Sequence, residues 1–281
     1  MKYSRSILGI FVLLPLVVVQ TQQSPVQSPS PTPNTSDPSR LQSELQQAQD
    51  KLKDWANLAR YRDDNTQVHA PAPGEARVLF MGDSITDGWG RKYGKFFPGK
   101  SYINRGISGQ TTPQMLIRFW PDVIDLHPAV VVILAGTNDI AGNTGPMTLE
   151  QTEDNLMSMA ELAQAHKIRV VLASLLPVCD YIRAQTARRP MEKIIALNAW
   201  MKDYAVKNRF IYLDYYSAML DDRKMLKQEL TYDGLHPNDA GYEVMMPLAE
   251  KAIAAALHGS SDTPAKSHST KKKSRIPAGG S

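Results

Sequence analysis

The run Ala129-Val130-Val131-Val132-Ile133-Leu134 most limits what this chain can become. Consecutive apolar residues rich in β-branching read as a strand buried on both faces, because a half-solvated strand would alternate polar and apolar positions. Four companions follow the same logic from Arg77 onward: Val78-Leu79-Phe80, a short Ser101-Tyr102-Ile103-Asn104, Arg169-Val170-Val171-Leu172-Ala173-Ser174 and Phe210-Ile211-Tyr212-Leu213-Asp214. Between them lie helical patterns. Thr148-Leu149-Glu150-Gln151 is a capping box that opens a helix to about His166. Pro190 opens another, with Ile194, Leu197, Met201 and Tyr204 on its inner face. The last runs from about Asn238 to His258, and Pro247 predicts a kink or a restart within it. Strands alternating with helices predict an α/β domain over residues 61–258, built on a doubly wound, five-stranded parallel sheet.

The flanks differ in character. Lys2 and Arg5 precede the apolar run from Ile7 to Val19, which has signal-peptide length and is short and Pro-broken for a transmembrane span. Residues 1–20 therefore read as a signal peptide or N-terminal anchor. Val19-Gln20-Thr21-Gln22 lacks a small-x-small cleavage pattern, so membrane anchoring by an uncleaved N-terminus stands as the alternative to a released, exported protein. Residues 21–37, rich in Pro, Ser, Thr and Gln, form a linker. Asp37-Pro38 reads as an N-cap followed by proline at the first helical position. The helix it opens, expected over 38–60, carries an apolar stripe of Leu41, Leu45, Ala48, Leu52, Trp55 and Ala59. Docking on the following domain is favoured over self-association, because the stripe covers fewer heptads than a coiled coil needs.

Charge and cysteine content exclude several classes. The formal net charge is +4, and residues 259–281 hold Lys266, Lys271, Lys272, Lys273 and Arg275 against Asp262 alone, which equals the whole excess. The domain itself is balanced, so the distribution argues against nucleic acid and for a solvated basic tail. Cys179 is the one cysteine, and no intrachain disulfide can form.

Four stretches carry candidate chemistry: Gly82-Asp83-Ser84-Ile85, Gly106-Ile107-Ser108-Gly109, Gly136-Thr137-Asn138-Asp139 and Asp233-Gly234-Leu235-His236-Pro237. The first three follow predicted strands, and loops at the carboxyl edge of an open α/β sheet converge. A serine hydroxyl needs a base to become a nucleophile, and His236 can serve. An imidazolium needs an orienting carboxylate, and Asp233 lies three residues away. A tetrahedral oxyanion needs preorganised donors, for which the Ser84 and Gly109 N–H groups and the Asn138 amide are suited. Each piece also has a plain reading: Asp233 and His236 as helix caps, Asn138 as a turn residue, Gly109 as a tight bend, Asp-x-x-His as half a metal site. No His-Glu-x-x-His or cysteine cluster accompanies the last, and the absence of Gly-x-Ser-x-Gly disfavours an ordinary α/β-hydrolase. Asp83 is assigned to shaping the serine turn.

Taken together, the four blocks resemble the SGNH (GDSL-type) hydrolase superfamily over about Arg77 to Leu257. The resemblance implies a three-layer α/β/α, flavodoxin-like fold and ester hydrolysis through an acyl-enzyme without cofactor or metal. It puts Ser84 on the nucleophile, Asp233 and His236 on the rest of the triad, and Ser84, Gly109 and Asn138 on the oxyanion donors. Ile85 stands where many members have leucine. Within the superfamily the chain is similar to short-acyl esterases related to platelet-activating-factor acetylhydrolase and carbohydrate acetylesterases, which implies a small acyl ester or acetylated carbohydrate as substrate. A non-catalytic carbohydrate- or surface-binding protein on the same fold is the alternative, and a metal-dependent phosphoesterase a third reading. The loop Leu176 to Arg189, with Asp180, Tyr181, Arg183, Arg188 and Arg189, fits a contact to a sugar or acidic group as well as a solvated connection. Trp89, Tyr93 and Phe96 fit a pocket wall, but core packing is the commoner role.

Overall fold

The computed structural model describes residues 37–259. The N-terminal apolar segment, the linker before Asp37 and the basic tail from Ser260 on lie outside the described residues. The chain divides between Ala48 and Gln49 into two units.

Five parallel strands form one sheet: β1 Val78–Gly82, β2 Tyr102–Gly106, β3 Val130–Leu134, β4 Arg169–Ala173 and β5 Ile211–Leu213. Their order is β2-β1-β3-β4-β5. Every residue of β1 and β3 is buried, as their unbroken apolar sequences require. The expected α/β class and doubly wound sheet are present, with strand ends shifted by one or two residues. The path reverses direction between β1 and β3. Right-handed crossovers to opposite sides then put helices on both faces of the sheet. On one face, Leu149–Ala165 packs against Thr112–Ile117 and Met191–Asn208. The helix Asp239–His258 packs against β3, β4 and β5.

Local sequence explains most helix ends. Thr148 accepts from Gln151 N while the Gln151 side chain returns to the Thr148 N–H, closing the expected capping box. Ile194, Leu197 and Met201 are buried, as their spacing predicts. Asp239–His258 runs through Pro247 without the expected restart. Pro247 and Glu243, whose carbonyl the proline leaves without an i+4 donor, are both exposed, so water can take that carbonyl.

The first helix is shorter than expected, Pro38–Lys53 where residues 38–60 were predicted. Asp54 ends it: its carboxylate accepts from Leu58 N at 2.7 Å and Ala59 N at 2.9 Å, and Asn57 takes a left-handed φ of 55°. Leu41, Leu45 and Leu52 are exposed, and burial falls later, on Ala56 and Tyr61. No described helix is long and apolar enough to cross a membrane.

Candidate active site

The strand register sets the geometry. Gly82 at the end of β1 lies beside Gly106 of β2 and Leu134 of β3. Three loops therefore leave the sheet at one level, carrying Ser84, Gly109 and Asn138. Gly82 must lack a side chain, because a Cβ there would stand 2.1 Å from Thr86 Oγ1 and 2.9 Å from the Leu134 carbonyl. The turn is pinned by Asp83, whose Oδ1 accepts from Ile85 N at 2.9 Å and caps the short helix Ser84–Gly88. Asp83 Oδ2 is buried without a hydrogen-bond partner. Burial pushes this carboxyl up to about 6, against the bond from Ile85 N–H and the nearby Arg189 charge.

Ser84 Oγ and His236 Nε2 are 2.8 Å apart, across 152 residues of sequence. His236 Nδ1 lies 2.7 Å from Asp233 Oδ2. Asp233 Oδ1 accepts from Leu235 N at 3.0 Å and His236 N at 2.8 Å. Burial alone would raise the Asp233 carboxyl, but bonds from the His236 ring and backbone outweigh it and hold it at about 2. An ionised Asp233 can only accept, so the imidazole proton belongs on Nδ1 and Nε2 is free to accept from the serine hydroxyl. The loop itself is fixed by Thr231, whose Oγ1 accepts from Gly234 N at 3.0 Å and donates to the His236 carbonyl at 2.7 Å.

Opposite the histidine, Gly109 has φ +81°, while a Cβ there would meet nothing nearer than Asn143 Nδ2 at 4.0 Å. Backbone conformation demands this glycine; crowding does not. Asn138 is buried in the turn after β3. Its Nδ2 donates to the Gln110 carbonyl at 3.0 Å, and its Oδ1 accepts from Arg189 Nη2 at 3.1 Å. With one amide hydrogen and the oxygen so engaged, the second hydrogen is left for the cleft, which Asn138 lines with Ser84, Gly109 and His236. The cleft has a volume of about 620 Å³. The structure thus brings together all five residues singled out from the sequence.

It also supplies residues that the sequence reading missed. Buried Arg118 donates to the Gly82 carbonyl at 3.1 Å and to Gln110 Oε1 at 2.6 Å, while pairing with Asp122 at 3.0 Å. It ties the serine turn to the Gly109 loop. Tyr232 stacks on His236, with rings 12° from parallel. Arg189, read as part of a polar loop, is only 5% exposed and forms part of the Asn138 wall. In the same loop, Asp180 is absorbed by bonds to Gln185 N, Thr186 N and Thr186 Oγ1. Trp89 and Phe96 pack with Phe80, Phe97 and each other, and only Tyr93 of that aromatic trio faces the cleft. Among the described residues, no group of three or more His, Cys, Asp or Glu is placed to hold a metal.

Fold and site define a class: an open α/β sheet with a serine, a histidine and hydrogen-bond donors around one cleft at its carboxyl edge. The chain belongs to the GDSL-like Lipase/Acylhydrolase family, whose sequence profile matches residues 80–244, more than half of the 281. By family, that region is a carboxylic ester hydrolase domain. A solved GDSL-like lipase from Bacteroides thetaiotaomicron is 45% identical, with a TM-score of 0.66 over 72% of this chain and 98% of that one. An acetylxylan esterase from Xylanibacter ruminicola is 29% identical over 220 residues, covering 66% of this chain and 45% of that protein. An uncharacterized lipoprotein from Bacillus subtilis is 33% identical over 81 residues, 28% of this chain and 33% of that one. The chain thus spans between a third and a half of the curated relatives it matches.

Proposed function

We propose that this protein is an exported serine esterase that removes short acyl groups, acetyl above all, from carbohydrate. The observation that carries the reading is the continuous chain from Ser84 Oγ through His236 to Asp233, facing the Asn138 amide across one cleft. In this mechanism His236 Nε2 takes the hydroxyl proton as Ser84 Oγ attacks the ester carbonyl. Asp233 holds the ring and stabilises the imidazolium. The Ser84 and Gly109 N–H groups and Asn138 Nδ2 receive the oxyanion, each donor contributing about 3–4 kcal/mol to the transition state. Collapse expels the alcohol, protonated by His236, and leaves acyl-Ser84. Water, activated by the same histidine, then releases the acid. No step calls for a cofactor or metal. The acetylxylan esterase relative supports the acetyl and carbohydrate parts of the reading. The lipoprotein relative and the apolar N-terminal run support export.

Ser84→Ala tests the assignment. It is expected to abolish hydrolysis of 4-nitrophenyl acetate with an unchanged unfolding midpoint, and surviving activity sinks the nucleophile. Stoichiometric labelling of Ser84 by an organophosphonate separates the esterase from a non-catalytic binder. Across 4-nitrophenyl esters of increasing length, the fastest turnover is expected on acetate; preference for long chains overturns the short-acyl part.

A further inference from the structure

The charged side chains lining the cleft are Arg60, Arg91, Lys92, Arg188 and Arg189, against the single carboxylate Asp87. That carboxylate is already shared. Arg91 Nη1 donates to it, Arg60 Nη2 stands 3.9 Å away, and Ser108 donates from both N and Oγ. Arg189 is held by neutral acceptors in the Asn138 wall: Thr137 Oγ1, Gln185 Oε1 and Asn138 Oδ1. Lys92 and Arg188 remain, and among the described residues neither has a carboxylate within ion-pair distance. The domain as a whole is balanced in charge, so this concentration of cations belongs to the cleft.

Their positions relative to the reacting atoms are informative. Lys92 Nζ donates to Tyr232 Oη at 3.1 Å and sits 4.3 Å from the centre of the Tyr232 ring. Tyr232 stacks in turn on His236 and packs against Tyr93 at 4.6 Å. His236 must reach the leaving oxygen to protonate it, so the alcohol half of an ester lies on this side of the cleft, beside Lys92 and two tyrosine rings. Arg188 stands at the other rim. Its Nη2 donates to Asn143 Oδ1 at 3.1 Å and the Ala141 carbonyl at 3.2 Å, and Asn143 Nδ2 reaches the Gly109 carbonyl at 3.1 Å. One nitrogen makes both bonds of this guanidinium to the wall, which leaves other N–H groups to receive a ligand. Cations on both sides of the serine favour an anionic substrate during encounter and after it.

We propose that the alcohol half of the substrate carries a carboxylate, that is, that the natural ester is an acylated acidic sugar of the uronic-acid type received at Lys92, with Arg188 at the other rim adding to the positive field that draws it in. This rests on the esterase reading of the same site and narrows its substrate class.

The test uses the full chain and a matched pair of probes, the 2-O-acetyl esters of methyl β-glucuronoside and methyl β-glucoside, which differ in one carboxylate. Acetate release is followed at low and high sodium chloride, with 4-nitrophenyl acetate alongside. The expected kcat/KM favours the glucuronoside by about tenfold at low salt and less at high salt, where charge is screened. Lys92→Gln and Arg188→Gln are each expected to lower that ratio, and the double variant to bring it near one. Equal turnover of the two sugar esters by the wild-type protein overturns the proposal. So does a preference that neither substitution nor salt moves, and so does turnover of 4-nitrophenyl acetate with neither sugar ester accepted. In those cases the esterase stands. Failure to hydrolyse any ester overturns the esterase reading, and this one with it.

Discussion

Arg189 offers a sharp test of how the proposed oxyanion donor Asn138 is held. Asn138 can donate into the cleft only if its amide points the right way. Two hydrogen bonds fix that orientation: Nδ2 to the Gln110 carbonyl at 3.0 Å, and Arg189 Nη2 to Oδ1 at 3.1 Å. Arg189→Met removes the second while filling similar space along the stem. A hydrogen bond to a charged group contributes about 1.5–3 kcal/mol. If that contribution keeps the amide from rotating, its loss lowers kcat by about 10- to 100-fold. The upper bound is Asn138→Ala, which deletes the donor outright and is expected to cost about 10²–10³-fold. Substitution at 189 also leaves Gln185 Oε1 and Thr137 Oγ1 without this donor, so the unfolding midpoint should fall, and kcat must be measured well below it.

The decisive measurement is the double-mutant cycle on 4-nitrophenyl acetate. With alanine at 138 there is no amide left to orient, so Arg189→Met should then have almost no further effect on kcat. The reasoning is refuted if the substitution lowers kcat by the same factor in both backgrounds. That result would mean that Arg189 acts by its own charge on the cleft or through general loss of structure.

Two further predictions concern carboxylates. Asp233→Asn is expected to lower kcat by about 10⁴-fold, because an asparagine there disrupts the tautomer that leaves Nε2 free. Wild-type Asp233, held at about 2 against an ordinary 3.8, contributes about 2 kcal/mol of stability above pH 4 that is lost as pH falls towards 2. The variant should lack that slope in urea titrations. Asp83, raised to about 6, has the opposite sign: its folded form binds the proton more tightly, so stability falls by about 2 kcal/mol as pH rises from 4 to 6. Asp83→Asn should flatten this second window alone; a slope unchanged between pH 4 and 6 would assign it to other groups.

Those two aspartates also mark where sequence reading succeeds and where it stops. Asp83 and Asp233 were given different roles from position alone, one beside the serine in a tight turn and one three residues before the histidine. The structure gives them opposite environments. The strands were legible because a run such as Val130–Leu134 admits no solvated face, and parallel strands then bring distant loops to one edge. Convergence at that edge accounts for Ser84, Gly109 and Asn138, whereas the pairing of Ser84 with His236 rested on the resemblance of the four blocks to the SGNH superfamily. The first helix was misjudged because its apolar stripe continues past Lys53, whereas Asp54 turns the chain through backbone bonds that periodicity does not register. Arg118 was missed, and Arg189 was read only as part of a polar loop, for a related reason. A buried arginine looks in sequence like any surface cation, and its role depends on which carbonyls packing brings to its nitrogens. Gly82, Gln110 and Asn138 are those partners here, each on a different loop. Sequence thus singled out atoms that the structure gathers at one cleft, while the side chains that keep those atoms in register could be found only from the packed structure.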